Sequence, residues 1–214
     1  MKKIILIVSI VVVVAIVGFI AYTFSNAEKV PQTFIDKHNE KVALEKEAAL
    51  VSDLTTLPAW NDFNTQMDEE NYVDAATSIG ISLSKKEEAA TKLNSINTKL
   101  SELKSIATEI TNSEVKTKAD NFINIAQQEN EAKITYNDLQ IQMIKELKTM
   151  VDILAIHPDA ISAEEEKTIT DASDAIDSLE TQIAEAKSEL DDIQNQYVVT
   201  EKEFFDLVGL EPQA

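Results

Sequence analysis

The sequence predicts an all-α protein: one N-terminal transmembrane helix followed by an elongated, antiparallel three- to four-helix bundle of coiled-coil character. Three observations carry this. Residues 4–24 form an almost unbroken apolar run behind Lys2 and Lys3. From Ile169 to Leu207 apolar residues recur in alternating steps of three and four. Three stretches of about 43 residues each, 68–110, 114–156 and 163–205, are separated by links of only a few residues. Short links force antiparallel neighbours, and at ~1.5 Å per residue each stretch makes a helix ~65 Å long.

The apolar run comes first. From Ile4 to Phe24 only Ser9, Gly18, Tyr22 and Thr23 depart from it, and Ile4, Leu6, Val11, Ile16, Phe19 and Phe24 are its anchor residues. A helix of ~21 residues spans ~30 Å, the depth of a bilayer's hydrocarbon core, and satisfies its own backbone there. Lys2 and Lys3 precede the run, and Lys29, Lys37 and Lys41 follow it, so flanking charge is nearly balanced. The basic start favours a single-pass protein of the cell membrane, with residues 1–24 as anchor, the amino end cytoplasmic and the bundle extracytoplasmic. Ser25-Asn26-Ala27 is a small-x-small pattern, but the run exceeds the 7 to 15 residues of a signal-peptide core. An uncleaved signal-anchor is expected, with cleavage after Ala27 to a secreted form as the alternative.

Charge excludes several partners. Behind the anchor 17 lysines stand against 38 acidic residues, a net −21, and the chain has no arginine. Nucleic acid is excluded, since binding it requires neutralising phosphates, and so is flat adsorption on anionic lipid. The absence of cysteine removes disulfides, thiolate metal sites and a cysteine nucleophile.

A joint at 25–31 leads into the bundle, 32–205, with Pro31 suited to a first helical turn. A first helix is expected at about 32–55, with Phe34, Ile35, Val42, Leu44, Ala48, Val51 and Leu54 apolar but in no single register. Residues 56–67, with Pro58, Asn61, Asp62 and Asn64, read as an irregular link holding Trp60 and Phe63. The next helix, 68–110, starts with Asp68, Glu69 and Glu70 where negative charge suits the dipole. Gly80 and a capping-box pattern at Ser84-x-x-Glu87 predict a kink near 80. Thr111-x-x-Glu114 reads as the capping box of the helix over 114–156. That helix has one stripe through Ile125, Ala132, Tyr136, Leu139, Met143, Met150 and Ile153 and another through Ile134, Ile141, Ile144 and Val151, making it the central element. His157-Pro158-Asp159 ends it, and Ser162-x-x-Glu165 opens the last helix. The seam Ile169, Ala172, Ile176, Leu179, Ile183, Ala186, Leu190, Ile193, Tyr197, Thr200, Phe204 and Leu207 is the coiled-coil pattern. Gln127 and Asn130 fall within or beside apolar stripes, where a buried amide would fix register. Following the chain from the anchor, the turn near Asn112 and the tail 206–214 fall near the bilayer, and Trp60, Phe63, His157 and Pro158 at the far tip.

Chemistry has little to start from. The glycines are Gly18, Gly80 and Gly209, so neither a phosphate-cradling loop nor a dinucleotide fingerprint exists. His38 and His157 belong to no triad or Glu-x-x-His pair. His38 reads as a surface or groove position, and His157 as a cap on a helix C-terminus. Asp171, Asp174 and Asp177 form a strip that reads as a solvated acidic face. No catalytic residue, cofactor or metal is expected. Trp60 and Phe63 either close the core or anchor a partner, and Phe204, Phe205 and Leu210 either pack on the bundle base or dock lipid or protein.

A basic start, an anchor and a helical bundle together resemble bacterial sensory ectodomains of the four-helix-bundle kind, which use a second span to reach a signalling part. The Lys2-Lys3 start and apolar run resemble membrane-anchored helical proteins of the LemA type. Asn71-Tyr72-Val73-Asp74-Ala75-Ala76 resembles a tetratricopeptide helix, without a second period. No functional residue transfers from any of these. The expected role is a non-enzymatic interaction or scaffolding module with an unidentified protein partner, and self-association through the long seam is plausible. The alternative is a ligand-binding or sensory bundle working with a separate membrane signalling protein.

Overall fold

A computed structural model describes residues 30–158 and 160–210. The described residues are all-helical: α1 (Gln32–Ser52), a 3₁₀ turn (Leu54–Thr56), α2 (Pro58–Asp68), α3 (Tyr72–Ala107), α4 (Ser113–Ile156) and α5 (Ala163–Val208), with no strand among them. The anchor expected at 1–24 and the cleavage position Ala27 lie outside the described residues. Among the described residues no helix is long and apolar enough to cross a membrane.

The chain forms two compact units. The first draws its described residues from 30–42, Thr98–Gln127 and 195–210. Here α1 and α3 run antiparallel, Lys37 reaching Glu102 at 3.1 Å while the later Lys99 reaches Glu40 at 2.7 Å. Lys118 of α4 meets Glu203 of α5 at 2.6 Å. Phe34, Leu100, Leu103, Phe122, Phe204 and Phe205 fill the interior. The ring of Phe122 stacks on Phe204 at 5.6 Å and meets Phe205 edge-on at 6.1 Å.

The second unit is built from Ala43–Asn97 and Gln128–Gln194. Lys92 pairs with Glu47 at 2.8 Å and Lys86 with the Ser52 carbonyl at 2.6 Å, so α1 and α3 are antiparallel here too. Asn130 of α4 reaches Leu93 and Asn137 reaches Lys86, which sets α4 antiparallel to α3. Its apolar core joins Leu54, Leu57 and Phe63 to Ala75, Ile79, Ile144 and Val151.

Several local expectations are corrected. The link at 56–67 is mostly helix: Pro58 stands at the first helical position, and Trp60, Phe63 and Met67 recur at three and four to face the core. That helix stops where Glu70 turns left-handed, φ 58°. The Asn71 amide then bonds back to the Gln66 carbonyl at 2.8 Å and the Glu70 amide to the Met67 carbonyl at 3.2 Å, the Schellman arrangement. Asp68, Glu69 and Glu70 therefore end α2 instead of starting α3. Asn71 starts α3, its carboxamide facing Asp74. Around Gly80 the chain forms one helix without a break from Tyr72 to Ala107, so the segment is not split into two helices and Ser84 caps no helix start. A glycine leaves the hydrogen-bond ladder intact, costing about 1 kcal/mol relative to alanine. At the start of α4 the cap is Asn112, whose carboxamide oxygen accepts from the Glu114 and Val115 amides at 3.0 and 3.1 Å, and not Thr111. The Ser162/Glu165 box forms as expected, with bonds in both directions.

Candidate functional site

The aromatic candidates are core residues. Phe63 is buried and Trp60 half-buried against it, their rings 5.4 Å apart. Phe204, Phe205 and Leu210 are buried as well, so none of the three offers a partner an open surface. Leu210 is held by the end of α5. Gly209 adopts φ 75°, the Leu210 amide bonds to the Phe205 carbonyl at 2.9 Å, and the Gly209 amide to Asp206 at 3.2 Å. This is a Schellman cap, and it ends α5.

The first unit contains a charged cluster that sequence reading missed. His38 is fully buried in the core, which corrects its expected surface or groove position. Phe34, His38 and Lys41 lie at steps of four and three on α1, so both polar side chains point where Phe34 points. The Lys41 ammonium sits 4.6 Å over the Tyr197 ring and donates to its hydroxyl at 2.9 Å. Tyr197 donates in turn to Glu201 at 2.5 Å. The imidazole packs on Phe205 at 4.9 Å and Phe122 at 5.6 Å, and neither ring nitrogen has a hydrogen-bond partner. Its Nε2 is 3.6 Å from Glu201, too far for a hydrogen bond. Burial, seconded by the Lys41 charge, pushes its pKa down to about 3, so the ring is neutral at physiological pH. The cluster joins α1 to α5.

In the second unit a polar row runs through the middle of α4. The fully packed stripe passes Glu129, Asn130, Asn137 and Gln140 before reaching Ile144 and Val151. The stripe expected through Ile125, Ala132, Tyr136, Leu139, Met143, Met150 and Ile153 is only half-buried. Asn130 donates to the Leu93 carbonyl at 2.9 Å and to Asn97 at 2.7 Å, and Asn137 to the Lys86 carbonyl at 3.2 Å. Glu129 pairs with Lys133 at 2.8 Å. Lys86, with no exposed surface, donates to the last carbonyl of α1, where the dipole attracts a cation. Burial lowers its pKa to about 8 against the pull of Asp53. The 3.6-residue period was in the sequence, but polar residues on it hid the seam.

The outer side of this unit is open. On α5 the seam residues Ile169, Ile176, Ile183, Ala186 and Ile193 stay half-buried, and only Ala172, Leu179 and Leu190 are covered. A groove of about 300 Å³ lies between the helices, lined by Gln128, Glu131, Ala132 and Thr135 of α4 and Ala186, Glu189 and Ile193 of α5. With His157 3.4 Å from Glu165, this pairing shows that α5 returns antiparallel along α4. Asp171 pairs with Lys167, and among the described residues no cluster of three or more His, Asp or Glu is placed to hold a metal.

No family model, characterised protein or solved structure matches the chain.

Proposed function

We propose that the protein is a non-enzymatic interaction or scaffolding module, tethered to the cell membrane by residues 1–24 with its helical part outside, and that it engages a protein partner through α5. The supporting observation is the half-covered seam of α5 over Ile169–Ile193. An apolar repeat sustained over seven turns is the feature by which helices recognise one another, and here Ile169, Ile176, Ile183 and Ile193 are left only half-buried. A photo-crosslinking residue at Ser178, beside the seam, should trap a discrete partner in the native membrane, while the same group at Thr91 on the exposed side of α3 should not. Equal labelling from both positions, or none from Ser178, would overturn the proposal.

A second reading is favoured by the groove itself. A space of about 300 Å³ with mixed lining is at the lower end of small-ligand sites, as a sensory module feeding a separate membrane protein would need. A ligand there would quench or shift Tyr136 fluorescence, since Tyr136 lies near Lys187 and Asp191 of α5. Determining the amino-terminal residue of the mature chain distinguishes the tethered form from a secreted one.

A further inference from the structure

The α4–α5 face of the second unit has a definite chemistry, and we infer that its occupant is a basic amphipathic helix, lysine- or arginine-rich on both flanks of an apolar stripe. This rests on the reading of α5 as the interaction element and specifies what binds there. The seam left half-open runs from Ile169 to Ile193, ~36 Å at ~1.5 Å per residue, which suits a helix and far exceeds a small ligand. The adjoining stripe of α4, including Ala132, Tyr136 and Leu139, is half-buried as well. At one end of these stripes the groove opens between them, and Ala132 of α4 and Ala186 of α5 both line it, their short side chains leaving room for a larger apolar side chain to enter.

The rims select the partner's charge. Glu131 and Glu189 line the groove from opposite sides. Asp138 follows Glu131 two turns along α4, and Glu185 precedes Glu189 by one turn on α5. All four are exposed, and none has an ion-pair partner among the described residues. On the same helices Asp152 is ion-paired to Lys148 at 2.7 Å and Asp191 to Lys187. From Ala163 to Gln194, α5 carries eleven acidic residues and two lysines. A second copy of this chain would bring the same carboxylates against these rims, and like charges along a helix interface set partners apart. A helix with cations on both flanks meets four free carboxylates and an apolar floor together.

The test uses the full chain in a non-ionic detergent and three labelled peptides of identical length. One is a helix with leucine at alternating steps of three and four and lysine on both flanks, the second replaces lysine with glutamate, and the third scrambles the first. The lysine-flanked helix should bind, weaken with added salt and outcompete its scrambled form. Glu131→Lys with Glu189→Lys should reduce its affinity about tenfold at low salt and give the glutamate-flanked helix measurable binding. Glu87→Lys with Glu109→Lys, exposed positions on α3 and just beyond it, should change affinity less than about twofold. Equal binding of the scrambled peptide, indifference to the Glu131/Glu189 reversal, no binding, or self-association of the chain through this face would each overturn the inference. If no designed helix binds while Ser178 still traps a protein in the membrane, the basic-helix inference fails and the interaction role stands. If Ser178 traps nothing as well, both fail.

Discussion

Replacing His38 with phenylalanine should stabilise the protein, and more so as the pH falls. The imidazole occupies an aromatic wall with both nitrogens unpartnered, and an unmatched buried polar group costs about 1–3 kcal/mol. Phenylalanine keeps the ring and removes the nitrogens, so a gain of about 1 kcal/mol is expected at pH 7.5. The pH dependence has a definite sign. The folded-state pKa is lowered to about 3 from an ordinary 6.5, so between those values the unfolded chain binds a proton that the folded chain does not. Native stability then falls with pH by up to about 1.4 kcal/mol per unit. At pH 5 the loss assignable to His38 is about 2 kcal/mol, and at pH 7.5 almost nothing. The groups facing it, Lys41 on α1 and Tyr197 and Glu201 on α5, are present in both proteins. So are the exposed carboxylates of Glu40, Glu88 and Glu102, held low by lysines, and of Glu165, held low by Ser162. Their loss in acid cancels in the difference. Thermal melts of both proteins from pH 7.5 to 5 should therefore diverge by about 4–8 °C. A constant difference would refute the reasoning, meaning that the imidazole takes up its proton inside the fold and closes the 3.6 Å gap to Glu201 into an ion pair.

Further substitutions test other parts of the fold. Gly80→Ala should raise stability by about 1 kcal/mol in denaturant titrations, because a Cβ there meets nothing within 4 Å and the helix is continuous. Glu70→Gly should add about 1 kcal/mol by relieving a side chain held at φ 58°; a loss would show that Glu70 contributes more than its backbone turn. Lys86→Met should flatten a rise in stability of the wild-type chain between about pH 8 and 10, since the folded state releases the Lys86 proton before the unfolded state does. Asn130→Leu removes the bonds to Leu93 and Asn97, and should broaden the set of species seen in sedimentation, with melting temperature raised or unchanged. A single unchanged species with unchanged melting would remove its role in register.

Helix-scale organisation was legible because punctuation and period agree in this chain. Pro158 and the Ser162/Glu165 box bracket the turn before α5, and a strict three-four repeat marks its seam. Legibility failed where two signals competed. Pro58 and three asparagine or aspartate residues suggested a loop at 56–67, yet Trp60, Phe63 and Met67 had enough apolar surface on one face to hold a short helix against the core. Gly80 and the Ser84-x-x-Glu87 pattern weakened the helical signal, yet the helix runs on without a break, with the fully buried Ile79 and Ser82 on either side. The interior of α4 was half legible for a third reason. The stripe through Ile141, Ile144 and Val151 is buried, and Asn130 with it, but Glu129, Asn137 and Gln140 share the packed side while Tyr136 and Met143 stay half-open, so apolar character alone does not mark the inside. His38 and Lys41 were hidden in the same way on α1, where only the shared spacing with Phe34 gave them away.

Lys41 and Lys86 have no exposed surface, and they fall in different units of the fold. Acylating reagents that mark open amines should pass over both in the native protein while reacting at surface positions such as Lys167. Each unit thus carries its own chemical gauge. Labelling at Lys41 alone would report loosening of the aromatic interior of the first, and labelling at Lys86 alone would report release of the α1 terminus from α3 in the second.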